Sequence, residues 1–135
     1  MNDQPSILYV EDDAQSRRIM QLTLVGRMKL SHVTIFEDSS DFLEHVKALD
    51  PKPDLIFLDI HVRPYDGFEM LKMLREIDAY KTVPIVALTA SVMNEEVFKL
   101  RTAGFDACIS KPIDITSFPV NIQNILAGQF AWNVS

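Results

Sequence analysis

The chain has 135 residues, 47% of them hydrophobic and 24% charged, which indicates one compact domain with a real core. Its 13 Lys and Arg and 19 Asp and Glu give a net charge of −6, and this acidity argues against nucleic acid or an anionic membrane surface as the main partner. The sequence has no signal-peptide pattern and no apolar run near the roughly 20 residues that span a bilayer. Its single cysteine, Cys108, fits a reducing compartment. Together these features predict a soluble cytoplasmic protein.

Short β-rich segments alternate with helical patterns along the chain. The predicted strands are residues 7–10, 33–36, 55–58, 85–88 and 107–109. The predicted helices are residues 14–25, 40–49, 67–77, 94–103 and 117–127. The helix-start signals are Asp13 for the first helix, Ser39 or Ser40 for the second, and Pro119 in the first turn of the fifth. The basic pair Arg17-Arg18 is interpreted as solvated helix surface.

Strict alternation of strands and helices predicts the fold class. Five β-α units imply an α/β fold with a single doubly wound, five-stranded parallel sheet, right-handed crossovers and helices on both faces. The expected strand order is the flavodoxin-like 2-1-3-4-5, in which strands one, three, four and five are neighbours. In such sheets the functional crevice lies beyond the carboxyl ends of the strands.

Charged and hydroxyl side chains follow the four neighbouring strands. The apolar run Leu55-Ile56-Phe57-Leu58 leads directly to Asp59, and a charge at the end of a buried strand is costly unless something there uses it. The other residues at these strand ends are Glu11, Asp12 and Asp13 after the first strand, Thr89 after the fourth and Lys111 after the fifth. Each has an ordinary explanation alone, such as the N-cap role assigned to Asp13. As a set at neighbouring strand ends, they predict a functional site.

The chemistry of this set favours phosphoryl transfer. Three carboxylates in one pocket repel each other, so they either keep protons or hold a cation. An all-oxygen cluster with few protein ligands suits Mg²⁺, and the three histidines are too scattered to suggest zinc. A Mg²⁺ on one side, with Lys111 and Thr89 on the other, would neutralise an arriving phosphoryl group. The attacking oxygen would belong to Asp59.

Four segments, ILYVEDD, PDLIFLDIHVRPYDG, VPIVALTA and CISKP, carry a family resemblance. With them the chain resembles a chemotaxis-regulator-like receiver domain of bacterial two-component response regulators, from about residue 6 to residue 126. The resemblance implies that Asp59 accepts phosphoryl from the phosphohistidine of a histidine kinase or phosphotransfer protein. It also implies Mg²⁺ ligands and phosphoryl contacts. The ligands are Asp12, Asp59, Glu11 (through water) and the His61 backbone carbonyl, and the phosphoryl contacts are Thr89, the Ala90 N–H and Lys111.

The same resemblance implies how the protein signals. Residues 1–128 would form the receiver domain, and residues 129–135 a tail too short for a DNA-binding or enzymatic effector. Either the chain is a single-domain regulator that acts by protein contact, or it is a receiver excised from a larger protein. In both cases we expect the readout surface to be the face of the fourth helix, fifth strand and fifth helix, where a downstream protein or a second copy could bind. The expected chemistry is limited to self-phosphorylation from a phosphodonor and autodephosphorylation, which leaves the description as an enzyme open.

Some positions depart from the family pattern. Proline usually lies four residues after the phosphoacceptor, but Arg63 stands there and Pro64 follows, which favours an extended backbone at Arg63 and a different loop shape. Cys108 replaces the switch tyrosine or phenylalanine of many members, and we interpret it as a small buried hydrophobe. We therefore expect activation to shift the fourth helix without a rotating aromatic. The Lys111-Pro112 bond is predicted to be cis.

Three other readings of the sequence are weaker. A degenerate receiver would act only as a docking module, and the complete set of acidic, hydroxyl and lysine residues argues against it. A phosphatase of the haloacid-dehalogenase type needs a second acid two residues after the nucleophile, where this chain has His61. A flavodoxin-like cofactor binder would have a Ser/Thr/Gly-rich phosphate loop after the first strand, where this chain has Glu-Asp-Asp.

Overall fold

The computed structural model of the chain describes residues 4–130 and residue 132. Its strands are β1 (Ser6–Val10), β2 (His32–Phe36), β3 (Leu55–Asp59), β4 (Ile85–Thr89) and β5 (Ala107–Ser110). Its α-helices are α1 (Ala14–Gln21), α2 (Phe42–Lys47), α3 (Gly67–Arg75), α4 (Asn94–Ala103) and α5 (Phe118–Leu126). All strand pairs are parallel, in the order β2-β1-β3-β4-β5. The predicted fold class and strand order are confirmed.

The core lies on both faces of the sheet, because successive residues of a strand point to opposite faces. Leu8, Val10, Ile56 and Leu58 pack on one face with apolar residues of α2, α3 and α4. Tyr9 and Phe57 pack on the other face with Met20 of α1 and the buried side of α5. Every residue of β3, the middle strand, is buried. A strand covered on both faces explains why its sequence is a continuous apolar run.

The first helix differs from its predicted extent. The α-helical part ends at Gln21, and Leu22–Arg27 continues as a π-helix. Within this region the hydroxyl of Thr23 donates to the carbonyl of Ile19 at 2.8 Å, a side-chain bond that competes with regular helix geometry. The predicted N-cap is confirmed, since the Asp13 carboxylate accepts from the Ser16 N–H at 2.8 Å.

The predicted N-cap of the second helix is wrong. Asp41, in the left-handed region at φ 51°, precedes α2, and it makes no side-chain capping hydrogen bond. Ser39 is fully buried and its hydroxyl donates to the Tyr65 carbonyl at 2.8 Å. The serine therefore serves a contact between distant loops, which the local sequence pattern did not show.

Arg75 connects segments at the amino ends of the strands, on the opposite side of the sheet from the predicted site. Its guanidinium donates to the carbonyls of Tyr80 and Val83, each at 2.8 Å, and to the Asp106 carboxylate at 2.7 Å. The same Asp106 oxygen accepts from the N–H of Ile85, the first residue of β4, at 2.9 Å. This partly buried network connects the segments that enter β4 and β5.

Trp132 lies against the side of the core that α4 covers. Its ring packs on that apolar cluster, and the guanidinium carbon of Arg101 in α4 lies 5.3 Å from the ring centroid. This distance allows a cation–π interaction. Across the residues that the structure describes, no helix is long and apolar enough to cross a membrane.

Candidate functional site

Parallel pairing brings the predicted site residues to one edge of the sheet. Asp59 ends β3 and pairs in register with Leu88 of β4, while Thr89 ends β4 and pairs with Ser110 of β5. Glu11 directly follows β1, and Lys111 directly follows β5. These four residues therefore lie at neighbouring strand ends, as the topology requires.

Three carboxylates form an acidic cluster at this edge. One oxygen from each of Glu11, Asp12 and Asp59 lies within 4.8 Å of the other two. Glu11 and Asp59 are buried, at 0% and 4% exposure, whereas Asp12 is exposed to solvent. A cluster that combines buried carboxylates with an open side suits a hard divalent cation that retains water ligands.

Lys111 connects two of these carboxylates. Its Nζ lies 2.8 Å from Oε1 of Glu11 and 3.1 Å from Oδ1 of Asp59. Burial acts to lower the pKa of the Lys111 ammonium, but the hydrogen bonds to Glu11 and Asp59 outweigh it and raise the pKa above its usual value. The group is therefore a fixed positive charge beside Asp59.

Glu11 is held from several directions. Its Oε1 accepts a hydrogen bond from the buried hydroxyl of Tyr9 at 2.7 Å, and its Oε2 accepts from the Asp13 N–H at 3.3 Å. Its own N–H donates to the carbonyl of Phe36 in β2 at 3.0 Å. Burial raises the pKa of the Glu11 carboxyl, against the opposing effect of the hydrogen bonds from Lys111 and Tyr9. Burial and the contact with Glu11 also raise the pKa of Tyr9.

Thr89 and Ala90 lie between Asp59 and Lys111 along the edge. The buried Thr89 hydroxyl accepts from the Ser91 N–H at 3.2 Å, and the Thr89 carbonyl accepts from the Lys111 N–H at 2.8 Å. Ala90 is exposed. The Lys111-Pro112 bond is cis, as predicted.

The loop after β3 is folded back against the end of that strand. Gly67 donates its N–H to the Ile60 carbonyl at 3.0 Å. A Cβ at Gly67 would lie 3.2 Å from the carbonyl oxygen of Asp59 and 3.0 Å from the Cα of Ile60, so this close approach requires glycine. His61 is exposed in this loop, and the Arg63-Pro64 bond is also cis.

Comparison with known protein families identifies the type of domain that contains this site. The family model of the response regulator receiver domain matches residues 7–123, most of the chain. The chain belongs to this family. It is therefore a receiver domain of two-component signalling, which confirms the resemblance drawn from its four segments.

Relatives from other organisms agree with this assignment. The receiver domain is similar to the polar-differentiation response regulator DivK of Brucella anthropi, with 35% identity over 79 residues that cover 58% of this chain and 64% of DivK. It is similar to the response regulator Rre1 of Synechocystis, with 31% identity over 128 residues that cover 93% of this chain and 53% of Rre1. The chain thus spans less than two thirds of the length of these relatives. In fold it is similar to the chemotaxis response regulator CheY4 of Vibrio cholerae, with a TM-score of 0.79, 23% identity and coverage of 90% and 98% of the two chains.

Three residues that support the site at the carboxyl ends of the strands were not predicted from the sequence. Tyr9 and Ser39 are the first two, and the buried hydroxyl of each donates a hydrogen bond, to the Glu11 carboxylate and to the Tyr65 carbonyl respectively. The third is Arg17, interpreted as solvated, whose guanidinium donates to the Glu11 carbonyl at 3.1 Å and lies 3.7 Å from Glu37. The sequence signal for Arg17 was its place one turn into a helix that begins beside the acidic cluster.

Proposed function

We propose that this receiver domain accepts a phosphoryl group on Asp59 from the phosphohistidine of a histidine kinase or phosphotransfer protein. The observation that carries the proposal is the placement of the Lys111 ammonium 3.1 Å from Oδ1 of Asp59, within the acidic cluster. In the transfer, an Asp59 oxygen forms the new P–O bond and the P–N bond of the phosphohistidine breaks. The electron pair of that bond stays on the imidazole nitrogen.

Mg²⁺ is the cation that we assign to the acidic cluster. The donors are carboxylate oxygens, which Mg²⁺ prefers, and the exposed position of Asp12 leaves room for the waters that this ion keeps. Asp12 and Asp59 would bind it directly, Glu11 through water, and the His61 backbone carbonyl would complete the protein ligands. When bound, the ion neutralises negative charge on the phosphoryl oxygens.

The remaining residues of the edge orient the phosphoryl group. Lys111 already faces Asp59, so its ammonium can pair with a phosphoryl oxygen as the group arrives. The Thr89 hydroxyl and the Ala90 N–H would donate to the other oxygens, because both lie at the end of the strand next to Asp59. Such fixed donors are the main contribution that a protein makes to phosphoryl transfer.

Labelling with a small phosphodonor tests this proposal. Incubation with acetyl phosphate and Mg²⁺ should add one phosphoryl group per chain, detected by mass spectrometry of the intact protein. A chelator that removes Mg²⁺ should abolish the label, because the clustered carboxylates would then repel the incoming phosphoryl group. A folded protein that stays unlabelled with Mg²⁺ would favour the docking-module reading instead.

We propose that the receiver domain comprises residues 1–128 and that residues 129–135 form a tail. The output face that we propose consists of α4, β5 and α5. The support for this face is that large apolar side chains on these helices and just before α4 are exposed to solvent. They are Met93, Phe98 and Val120. A downstream protein or a second copy of the domain would bind there. Cys108, fully buried in β5, is too small to act as a rotating aromatic switch, so we assign the change on activation to α4.

Trp132 should report this change. It is the single tryptophan and contacts Arg101 of α4, so a shift of α4 should alter its fluorescence. We expect beryllofluoride with Mg²⁺ to change Trp132 emission in the native chain but not in Asp59→Asn. Amide chemical shifts should change from Ala90 to Leu100 more than at Cys108. Unchanged emission and a quiet stretch from Ala90 to Leu100, with beryllofluoride binding verified by fluorine NMR, would contradict a shift of α4.

A further inference from the structure

Ser39 is a buried serine in the loop after β2, the one strand whose end carries none of the predicted site residues. It is 0% exposed, and its hydroxyl makes two hydrogen bonds to a single distant residue. The Oγ donates to the Tyr65 carbonyl at 2.8 Å and accepts from the Tyr65 N–H at 2.7 Å. The Ser39 N–H adds a third bond, to the Arg63 carbonyl at 3.1 Å. We propose that Ser39 is a positioning residue for the Mg²⁺ site, an inference that rests on the proposed function.

The loop that Ser39 holds is the segment that follows Asp59. This loop is attached at its base, where the Gly67 N–H donates to the Ile60 carbonyl. Its second attachment is the set of three bonds from Ser39 to Arg63 and Tyr65. Residues 61 and 62 lie between these attachments, so the position of the His61 carbonyl depends on both. The base attachment alone would leave the far side of the loop without these bonds to the loop after β2.

The last residue of β2 and the loop after it also contact the segments that follow β1. The Phe36 carbonyl accepts from the Glu11 N–H at 3.0 Å. Arg17 bridges the same regions, since its guanidinium contacts both the Glu11 carbonyl and the Glu37 carboxylate. Residues 36–39 thus connect the segment that carries Glu11 and Asp12 to the segment that carries His61. The spacing between ligands from these two segments depends on this connection.

A hydroxyl suits this connection better than other small groups. Serine donates and accepts at once, and Tyr65 presents one acceptor and one donor to it. Alanine would remove both bonds and leave Tyr65 backbone groups without them, which would loosen the loop. Groups that fix metal ligands in this indirect way typically change metal affinity by roughly 10- to 100-fold when mutated.

Calorimetric titration of Mg²⁺ into the unphosphorylated chain tests the proposal. We expect Ser39→Ala to bind Mg²⁺ roughly 10-fold or more weakly than the native protein. In NMR titrations, the amide signals of His61 and Val62 should need correspondingly more Mg²⁺ to reach their end point. Should Ser39→Ala fail to fold, Ser39→Cys gives the same comparison, because a thiol has similar size but forms weak hydrogen bonds.

Two control variants separate positioning from general stability. Ser40→Ala changes the exposed neighbour and should bind Mg²⁺ as the native chain does. Arg75→Ala removes the network at the opposite end of the sheet, so it should lower the free energy of unfolding and leave Mg²⁺ affinity unchanged. A Ser39→Ala protein that loses stability but keeps native Mg²⁺ affinity would overturn the inference. So would an equal loss of Mg²⁺ affinity in Arg75→Ala.

The proposed function has a separate test within the same experiment. If the native chain binds Mg²⁺ and Asp12→Ala weakens that binding, the metal site stands whatever Ser39→Ala shows. If the native chain does not bind Mg²⁺, the metal assignment fails and the Ser39 inference fails with it.

Discussion

Asp59→Asn should abolish phosphoryl labelling completely, whereas Asp13→Asn should be labelled to the same extent as the native chain. Asn has no carboxylate oxygen to attack phosphorus, and it fills the same space as Asp59 at the end of β3. Mass spectrometry after incubation with acetyl phosphate and Mg²⁺ measures both results. Asp13 is the matched control because it is an acidic neighbour whose carboxylate caps α1 through Ser16.

The other carboxylates are poorer nucleophiles for structural reasons. Both oxygens of Glu11 accept hydrogen bonds, Oε1 from Tyr9 and Lys111 and Oε2 from the Asp13 N–H, and its side chain is fully buried. Asp12 is exposed, and the lysine contacts of the site go to Asp59 and Glu11 instead. Of the three carboxylates, Asp59 alone is the last residue of the middle strand. Lys111 and Thr89, the last residue of β4, lie beside it. Undiminished labelling of Asp59→Asn would show that another residue is the phosphoacceptor.

The part of this site that sequence could predict is the part set by the sheet. Alternating strands and helices specify a parallel sheet, and the residue after each strand must then lie at its carboxyl edge. This logic places Glu11, Asp59, Thr89 and Lys111 together without any knowledge of side-chain contacts. The apolar run of β3 correctly predicted its start at Leu55, and its predicted end falls one residue before Asp59, with which the structure ends β3.

The supporting contacts could not be predicted from local sequence patterns, because they depend on how separate elements pack in the folded chain. Ser39 has the composition of a helix cap, and only the folded loop after β3 shows that its hydroxyl bonds Tyr65. Arg17 has the pattern of a solvated helix residue, but its position beside Glu11 depends on how α1 packs. The π-helical end of the first helix is likewise a feature that the periodicity of the sequence does not specify.

Lys111→Met should destabilise the protein strongly in the absence of Mg²⁺ and much less in its presence. The ammonium lies between the carboxylates of Glu11 and Asp59, whose side chains are 1% and 6% exposed, and methionine keeps the apolar stem without the charge. Removing one partner of a buried ion pair typically costs 3–5 kcal/mol, and the 20% exposure of the Lys111 side chain places the expected loss near the lower end, about 3 kcal/mol. Urea unfolding with chelator measures it.

Mg²⁺ should restore much of this loss, because a bound cation replaces the missing positive charge among the same carboxylates. A ligand that binds only the folded state stabilises it as its concentration rises above Kd, so the gain in unfolding free energy on adding Mg²⁺ should be larger for Lys111→Met than for the native chain. Lys81→Met is the control, since Lys81 is exposed and pairs with exposed Asp78 at 3.9 Å; its stability should change by no more than about 0.5 kcal/mol. If Lys111→Met unfolds at the native urea concentration in chelator, the ammonium is not what holds the acidic cluster together, and its role would be confined to the phosphoryl group itself.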